Sequence, residues 1–488
     1  MAIESLKYKI LQQFGFAPTQ EQGQALDTFV SFLTDRDPQA VMILRGSAGT
    51  GKTSLSGAIV RTLLQIRQKV MLLAPTGRAA KVFSLGSGAP AYTIHRRIYR
   101  EKAFAGVDGQ FSLNDNLYTD TLFMVDEASM IANMGLGGTT FGSGCLLDDL
   151  VKFVYQGHND RLLLIGDKAQ LPPVGEEESP ALSASVMEGY GLKVYECDLN
   201  EVLRQSQSSG ILYNATLIRQ MITHDAVTGL PLVRFKGFAD IVMMPGAELV
   251  ESLGDSYHHV GMDETMVITR SNKRANIYNN GIRNMVLDRE EELSSGDMLM
   301  IVKNNYFWTE KEKKESGEGS AGAVPAFLAN GDRAKVLRVS NYIELYGFRF
   351  ATLLLQLPDY DDYEMQVTGM LDTLQSESPA LTHEQQEELF RQVEEDYQHF
   401  VPLKADRMKS IRQDAYFNAL QIKYAYAVTC HKAQGGQWAH VYVDQGYMTD
   451  DMLTPDYIHW LYTAFTRATD KLFLVNWPKE QTCEPTDL

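Results

Sequence analysis

The sequence predicts an α/β fold of two lobes, each built on a parallel β-sheet. Apolar runs of four to six residues alternate with amphipathic stretches through the first two hundred positions, and the pattern returns towards the end of the chain. Continuous apolar strands separated by helices are typical of a parallel sheet buried on both faces. The predicted strands are residues 40–44, 70–74, 122–126 and 161–166 in the first lobe and 265–270, 440–444 and 471–476 in the second.

Two insertions interrupt this pattern. Residues 101–115 hold an Asp-Gly pair between short apolar runs, which predicts a β-hairpin. Residues 333–357 alternate as in a small antiparallel barrel, and residues 383–400 have helical spacing with an acidic face. The charged, Gly- and Ser-rich stretch 312–322 predicts a loop. Because the α/β pattern resumes only near residue 424, the barrel and the acidic helix are predicted to form an inserted subdomain.

These patterns divide the chain of 488 residues into three predicted parts. The first lobe is predicted at residues 1–205 and carries the short hairpin at 100–118. The second lobe is predicted at 206–332 and 421–488. The inserted subdomain, with the barrel and the acidic helix, is predicted at 333–420.

Composition excludes several classes of protein. The content of apolar residues (44%) and charged residues (22%) is that of a globular chain rather than a disordered or fibrous one. No apolar run approaches the roughly 18 residues that a membrane helix needs, so no membrane partner is expected. Four widely spaced cysteines without a C-x-x-C pair argue against a zinc site and fit free thiols in a reducing cytoplasm.

The net charge of −17 does not exclude a nucleic-acid partner. Residues 359–396 contain twelve acidic residues and one basic residue, so most of the net charge is concentrated in this segment. The rest of the chain is close to neutral and is compatible with a local basic channel for a polyanion.

A phosphate-binding loop is predicted at residues 46–53, GSAGTGKT, directly after a strand and at the start of a helix. Its glycines let successive N–H groups point at phosphate oxygens, and the helix N-terminus adds its positive dipole end. Lys52 is expected to neutralise the β- and γ-phosphates, and the Thr53 hydroxyl to ligate Mg²⁺. The predicted loop contacts to nucleotide are Gly46, Ser47, Ala48, Gly49, Thr50, Gly51, Lys52, Thr53 and Ser54.

Polar residues at the ends of two other strands complete a hydrolytic site. After the strand 122–126, Asp126 would hold Mg²⁺ through water and Glu127 would orient the attacking water as a base. An Asp-Glu pair by itself is more often a helix start, but its place after a buried strand favours catalysis. Gln170, after the strand 161–166, would contact the γ-phosphate and respond to its loss. The sequence therefore predicts nucleotide hydrolysis.

The order of these stretches resembles that of superfamily 1 helicases, and most of all their RecD/Dda branch, across residues 19–205 and 265–488. The resemblance implies two RecA-like P-loop lobes with parallel sheets, a small hairpin insertion and an SH3-like β-barrel insertion. It implies an ATP-dependent DNA helicase of 5′→3′ polarity with ATP and Mg²⁺ as cofactors. Single-stranded DNA and DNA forks are the expected partners, with replication or repair proteins, and the chain is expected to act as a monomer.

The resemblance also implies roles for individual residues. Gln22 would read the adenine, and Gln170 would couple the γ-phosphate to DNA. Arg204 would contact phosphate, Arg467 would be the arginine finger, and Gln434 with Gly435 would lie near the lobe interface. The catalytic set is thus Lys52, Asp126, Glu127, Gln170 and Arg467. The implied DNA contacts are Pro75, Thr76, Arg78, Thr93, His95, Thr429, His431 and Lys432.

Several alternatives remain open at this point. His95 and His431 could be core histidines, and Arg204 and Arg467 could form surface ion pairs. The chain could be an RNA-directed relative, or a nucleotide-dependent clamp that binds nucleic acid without unwinding it. A P-loop kinase is disfavoured because it would not need Arg467. The helicase interpretation requires the last third of the chain to fold back and complete the site begun near the N-terminus.

Overall fold

The computed structural model describes residues 2–104, 109–135, 142–201, 208–223, 229–316, 325, 327–449 and 452–483. The chain divides into two compact units. The first comprises Met1–Glu101, Phe111–Pro245 and Ala433–Leu488, and the second comprises Lys102–Gln110 and Gly246–Lys432.

A sheet of six parallel strands forms the core of the first unit. The strands are β1 (Ala40–Gly46), β2 (Lys69–Ala74), β3 (Ala91–Thr93), β6 (Thr121–Val125), β7 (Arg161–Gly166) and β8 (Lys193–Leu199). Their order is β3-β2-β6-β7-β1-β8, and every neighbouring pair is parallel. Four of the strands confirm the positions predicted from the apolar runs.

Helices cover both faces of this sheet. They are α1 (Ala2–Phe14), α2 (Gln20–Thr34), α3 (Lys52–Gln65), α4 (Gly77–Ser87), α5 (Ile94–Ile98), α6 (Leu146–Gln156) and α7 (Ala184–Gly189), whereas α8 (Gly210–Thr223) packs against a helix and a strand from the end of the chain. Met42 and Leu44 of β1 belong to the apolar core on one face, and Val41 and Ile43 belong to the core on the other. The expectation of a sheet buried on both faces is confirmed.

The first unit contains three more parallel strands from later in the chain. They are β9 (Ile241–Met244), β17 (Trp438–Asp444) and β18 (Ala468–Val475), in the order β9-β18-β17. Helix α15 (Pro455–Phe465) lies between β17 and β18 in the chain and is almost entirely buried from Tyr457 onward.

The second unit combines a parallel strand pair with a closed barrel. The pair is β10 (Thr265–Thr269) and β16 (Ala427–Thr429). The barrel strands are β11 (Met298–Ile301), β12 (Arg333–Leu345), β13 (Phe348–Leu357), β14 (Tyr363–Met370) and β15 (Leu420–Tyr424). The other helices of this unit are α9 (Leu249–His259), α10 (Asn272–Gly281), α11 (Phe307–Ser316), α12 (His383–Gln398), α13 (Lys404–Arg412) and α14 (Cys430–Ala433), the last of which ends in the first unit. An α/β fold with a barrel insertion is therefore confirmed.

The barrel differs from the expectation in one strand pair. Neighbouring strands are antiparallel except β14 and β15, which are parallel. Parallel neighbours need a long crossover connection, and the segment between these two strands contains α12 and α13. The predicted acidic helix is α12, which packs Leu389 and Val393 against Phe350 of β13 and leaves much of its acidic face in solvent.

The predicted hairpin is also present, while one predicted loop is wrong in part. Strands β4 (Tyr99–Phe104) and β5 (Gly109–Leu113) form a two-stranded sheet, and residues 105–108 of the predicted turn lie outside the described residues. Residues 312–316 belong to α11 rather than to a loop. Their Glu and Lys side chains favour a helix more than the glycines that follow them. Among the described residues, no helix has the length and apolar character to cross a membrane.

Candidate nucleotide site

The loop between β1 and α3 has the backbone of a phosphate-binding loop. Gly49 and Gly51 have left-handed φ angles of 78° and 82°, and α3 begins directly after Gly51. A Cβ atom on Gly46 would lie 2.8 Å from Lys52 Cγ and 2.9 Å from Thr50 Oγ1. A side chain at position 46 would therefore clash with the loop unless Lys52 or Thr50 moved. Positive φ is a conformation that glycine adopts without strain.

The polar groups of the loop bond to the loop itself. Lys52 Nζ donates to the carbonyl oxygens of Gly46 and Ser47, the latter at 3.1 Å. Thr50 Oγ1 donates to Ser47 O at 2.8 Å. Thr53 and Ser54 are exposed on the first turn of α3, where a ligand can reach them.

Gln22 contacts the loop from the start of α2. Thr19 caps this helix: its hydroxyl accepts from Gln22 N, and its own N–H donates to Gln22 Oε1 at 3.0 Å. The capping box fixes the buried Gln22 side chain, whose Nε2 donates to Thr50 O at 2.9 Å. Gln22 therefore lies against the loop, and adenine recognition by this residue stays a prediction.

Asp126 and Glu127 follow β6 and are half-buried. The Asp126 Oδ1 atom accepts from Glu127 N at 2.9 Å. Burial, and then the charge of Glu127, raises the pKa of Asp126 to about 7, while the nearby Lys52 ammonium acts to lower that pKa. A divalent cation would favour the ionised carboxylate. The oxygen donors of Thr53 and Asp126 fit the ligand preference of Mg²⁺.

The segment after β7 meets residues from the last third of the chain. Leu171 N donates to Thr463 Oγ1 at 2.8 Å, and Leu171 O accepts from Gln434 Nε2 at 2.8 Å. A ring nitrogen of His459 lies 2.9 Å from Ala169 O. Gln170 is buried between these contacts, and its Oε1 has no hydrogen-bond partner among the described residues.

Tyr462 of α15 joins this segment to the phosphate loop. Its hydroxyl accepts from Ala48 N at 3.0 Å and donates to Asp167 Oδ2 at 2.7 Å. Burial, and then the charge of Asp167, raises the pKa of Tyr462 well above its usual value, so the hydroxyl keeps its proton. The last third of the chain therefore reaches the phosphate loop, as the sequence interpretation requires.

Arg467 lies just beyond α15 and is buried, which does not fit a surface ion pair. Its Nε donates to Thr463 O at 3.1 Å, its Nη1 to Gly436 O at 3.1 Å and its Nη2 to Thr466 Oγ1 at 3.2 Å. These three acceptors belong to the last third of the chain, so the guanidinium is held at that side of the site. Arg204 lies outside the described residues.

Two predicted DNA contacts of the first unit, Thr76 and Arg78, lie beside the segment that follows Gln434. Thr76 caps α4, and a Cβ atom on Gly435 would lie 3.2 Å from its hydroxyl. Arg78 donates to Gln437 O at 2.6 Å, and its guanidinium lies 4.4 Å from the centre of the Trp438 ring. Pro75 lies directly before Thr76 and is half-buried.

Thr93 and His95 lie at the junction of β3 and α5. Thr93 is buried, and its hydroxyl has no hydrogen-bond partner in the described part of the chain. His95 is half-buried, and burial lowers its pKa to about 4, so the ring is neutral at pH 7. A neutral ring beside Tyr99, at 5.7 Å between ring centres, also fits a core histidine.

The remaining predicted DNA contacts belong to the second unit. Thr429 ends β16 opposite Thr269, and His431 is exposed on α14. Lys432 Nζ donates to the side chain of Asn330. Burial, and then the charge of Lys423, lowers the pKa of Lys432 to about 8.

Sequence reasoning missed two residues that contact the phosphate loop. Tyr462 lies five residues before Arg467, but no role was predicted for it. Arg219 of α8 lies outside the two ranges that resemble the helicases, and its Nη1 donates to Ser47 Oγ. No local pattern marks Arg219, because the contact joins positions 172 residues apart.

Two family models match the chain: an AAA domain at residues 17–229 and a UvrD-like helicase C-terminal domain at residues 424–475. The ATP-dependent RecD2 DNA helicase of Deinococcus radiodurans is 30% identical over 32% of this chain and 18% of that protein. The ATP-dependent DNA helicase dda of Enterobacteria phage T4 is 26% identical over 53% of this chain and 55% of that protein. The chain thus spans less than two thirds of either relative. A crystal structure of Pif1 helicase from Bacteroides, in complex with ADP-AlF3 and ssDNA, aligns over 96% of this chain and 95% of that one, with 14% identity and a TM-score of 0.46.

Proposed function

The chain belongs to the superfamily 1 helicases of the RecD/Dda type, and on that premise we propose that it is an ATP-dependent DNA helicase that translocates 5′→3′ on single-stranded DNA. The single observation that carries the proposal is the bridge from the Ala48 N–H through Tyr462 to Asp167. It joins a phosphate loop near the N-terminus to a helix near residue 460. A kinase or a simple nucleotide-binding domain does not need this second half.

In the proposed site, the residues of the phosphate loop bind the nucleotide. Lys52 would leave the loop carbonyls for the β- and γ-phosphates, and Gln22 would turn towards the base. Bound Mg²⁺, held by Thr53 and Asp126, would neutralise phosphate charge. Glu127 would orient the attacking water and accept its proton.

Arg467 would supply positive charge to the γ-phosphoryl group during hydrolysis. A preorganised cation of this kind acts on charge that develops in the transition state. The hydrogen bonds from Arg467 to Thr463 O and Gly436 O keep the guanidinium on α15 and the adjacent loop. A movement of α15 relative to the phosphate loop would then bring the guanidinium to the phosphate or withdraw it.

Coupling to DNA would follow the hydrogen bonds of the first unit. A phosphate that binds the Ala48 N–H competes with Tyr462, and Tyr462 is tied to Asp167. The same segment bonds Gln434 through Leu171 O. Gly435 packs on Thr76, one of the predicted DNA contacts. Loss of the γ-phosphate would therefore change the position of Thr76, and with it the contact with DNA, through these hydrogen bonds and packing contacts.

DNA binding would be directed at the phosphate backbone. The proposed contacts are Pro75, Thr76, Arg78, Thr93 and His95 in the first unit and Thr429, His431 and Lys432 in the second. Hydroxyls and cations suit backbone contacts that do not read sequence. Binding should therefore be nearly independent of base sequence and should weaken as salt concentration rises.

The test measures ATP hydrolysis and strand displacement with the full chain. We expect single-stranded DNA to stimulate hydrolysis more than duplex DNA or RNA does, and a 5′-tailed fork to be unwound where a 3′-tailed fork is not. Lys52→Ala is the negative control and should abolish hydrolysis. Stimulation without unwinding of any fork would favour the clamp, and preference for RNA or RNA/DNA hybrids would favour the RNA-directed alternative. Full hydrolysis by Lys52→Ala would place the site elsewhere.

A further inference from the structure

Two cations meet at one residue of the phosphate loop. Lys52 Nζ donates to the carbonyl oxygen of Ser47 at 3.1 Å, and Arg219 Nη1 donates to the Ser47 hydroxyl. Lys52 opens α3, whereas Arg219 lies near the end of α8. Both side chains are half-buried. Like charges brought together in this way repel each other unless an anion lies between them.

No carboxylate of the described residues contacts this pair directly, although Asp126 lies close enough to Lys52 for the two charges to interact. In the described part of the chain, the charged nitrogens of Lys52 and Arg219 bond only the Gly46 and Ser47 carbonyl oxygens and the Ser47 hydroxyl. Elsewhere in the same unit, the buried Arg45 bonds the carboxylates of both Asp198 and Glu196. Since a partly buried charge is stabilised by a directly bonded anion, we expect a ligand to supply that contact for Arg219 and Lys52.

Helix α8 holds Arg219 rigidly towards the loop. Asp240 accepts from Ser209 Oγ at 2.6 Å and from Gly210 N at 2.7 Å, which fixes the start of the helix. Further along, Asn214 Nδ2 donates to Arg234 O at 2.9 Å. A guanidinium on an anchored helix is preorganised for one direction of approach.

We propose that Arg219 is a phosphate-contacting residue of the nucleotide site, directed together with Lys52 at the terminal phosphates of a nucleoside triphosphate. The inference rests on the proposed function, because it needs the loop to bind nucleotide. It adds a third cation to Lys52 and Arg467, and the contact of Arg219 with the loop involves neither Arg204 nor Arg467.

The terminal phosphates are favoured over the α-phosphate by the place where the two cations meet. The lysine of a phosphate loop reaches the β- and γ-phosphates, and Arg219 bonds the same residue as that lysine. On binding, the guanidinium would exchange a neutral hydroxyl acceptor for an anionic oxygen. Such charge-assisted hydrogen bonds are about twice as strong as neutral ones, so the triphosphate gains more than the diphosphate.

The test compares the affinities of a fluorescent non-hydrolysable ATP analogue and of fluorescent ADP, both with Mg²⁺. The full-length variants are Arg219→Ala, Arg219→Gln and Arg219→Lys, with Arg36→Ala as the matched control because Arg36 is exposed in the same unit. We expect Arg219→Ala and Arg219→Gln to weaken binding of the analogue about tenfold or more and of ADP less than threefold. Arg219→Lys should be intermediate, and Arg36→Ala should match the wild type.

Three results would overturn the inference. Unchanged affinity for the analogue in Arg219→Ala and Arg219→Gln would mean that the contact with Ser47 has no role in binding. Equal losses for the analogue and ADP would remove the assignment to the terminal phosphates. Normal affinity in Arg219→Gln, with a lower unfolding temperature and weak binding only in Arg219→Ala, would make the side chain a packing element. If the wild type itself binds neither nucleotide, the proposed function fails instead.

Discussion

Cations with little solvent exposure bond carboxylates in one region of the molecule and only neutral oxygens in another. In the second unit, Arg283 and Arg289 share the fully buried carboxylate of Asp297 at 3.0 Å and 2.5 Å, and Tyr426 donates to the same carboxylate at 2.8 Å. In the first unit, Lys52 and Arg219 at the phosphate loop and Arg467 beyond α15 bond only carbonyl and hydroxyl oxygens among the described residues. A carboxylate partner fixes a cation into the fold, whereas neutral acceptors leave its charge available to a ligand.

Arg45 shows that a cation of the first unit can also be paired with carboxylates when it does not face the nucleotide site. It lies on β1 directly before the phosphate loop, and it bonds Asp198 at 2.6 Å and Glu196 at 2.7 Å. The hydrogen bond to Asp198 is the main cause that raises the pKa of Arg45 above its usual value. A structural arginine one residue from Gly46 is thus neutralised, while the cations at the loop are not.

Of the substitutions considered, Arg467→Ala should have the largest effect on ATP hydrolysis. We expect kcat for ATP hydrolysis to fall about a thousandfold, because an arginine finger acts on transition-state charge. Affinity for a non-hydrolysable ATP analogue should change less than threefold. Steady-state kinetics and equilibrium titration measure the two quantities.

Thermal unfolding of Arg467→Ala provides the control for this prediction. The side chain is buried and donates three hydrogen bonds, so a modest loss of stability is expected without loss of the fold. Equal loss of binding and turnover would mean that Arg467 only supports the structure around α15.

Asp297→Asn should act on stability and leave nucleotide binding unchanged. The substitution keeps the shape of the side chain but leaves Arg283 and Arg289 without a counter-ion, which should lower the free energy of unfolding by about 3 kcal/mol. Denaturant unfolding monitored by circular dichroism measures this loss. Affinity for the ATP analogue at a temperature where the variant is folded should stay within twofold of the wild type. A tenfold loss of that affinity would mean that Asp297 supports nucleotide binding as well as stability.

Local sequence patterns predicted much of the fold and of the loop. Strands β1, β2, β6 and β7 appear where the apolar runs place them, because a strand buried on both faces needs a continuous apolar run. The phosphate loop follows from eight consecutive residues, since its conformation depends on its own glycines.

Contacts between distant positions could not be predicted in this way. Tyr462 and Ala48 are 414 residues apart in the chain, and Arg219 and Ser47 are 172 apart. Each contact depends on how α15 and α8 pack, which no short pattern encodes. The parallel pairing of β14 with β15 was missed for the same reason, because it depends on the crossover through α12 and α13.

Thermal unfolding of the full chain in increasing non-hydrolysable ATP analogue and Mg²⁺ tests most directly whether the cations at the phosphate loop bind the phosphates of ATP. For the wild type, the unfolding temperature should rise with the logarithm of ligand concentration, corresponding to about 2.7 kcal/mol at a hundred times Kd. Lys52→Ala should show a much smaller rise at the same concentrations. An unchanged unfolding temperature of the wild type at millimolar analogue would mean that the loop does not bind the nucleotide. An equal rise in Lys52→Ala would mean that Lys52 does not contact its phosphates.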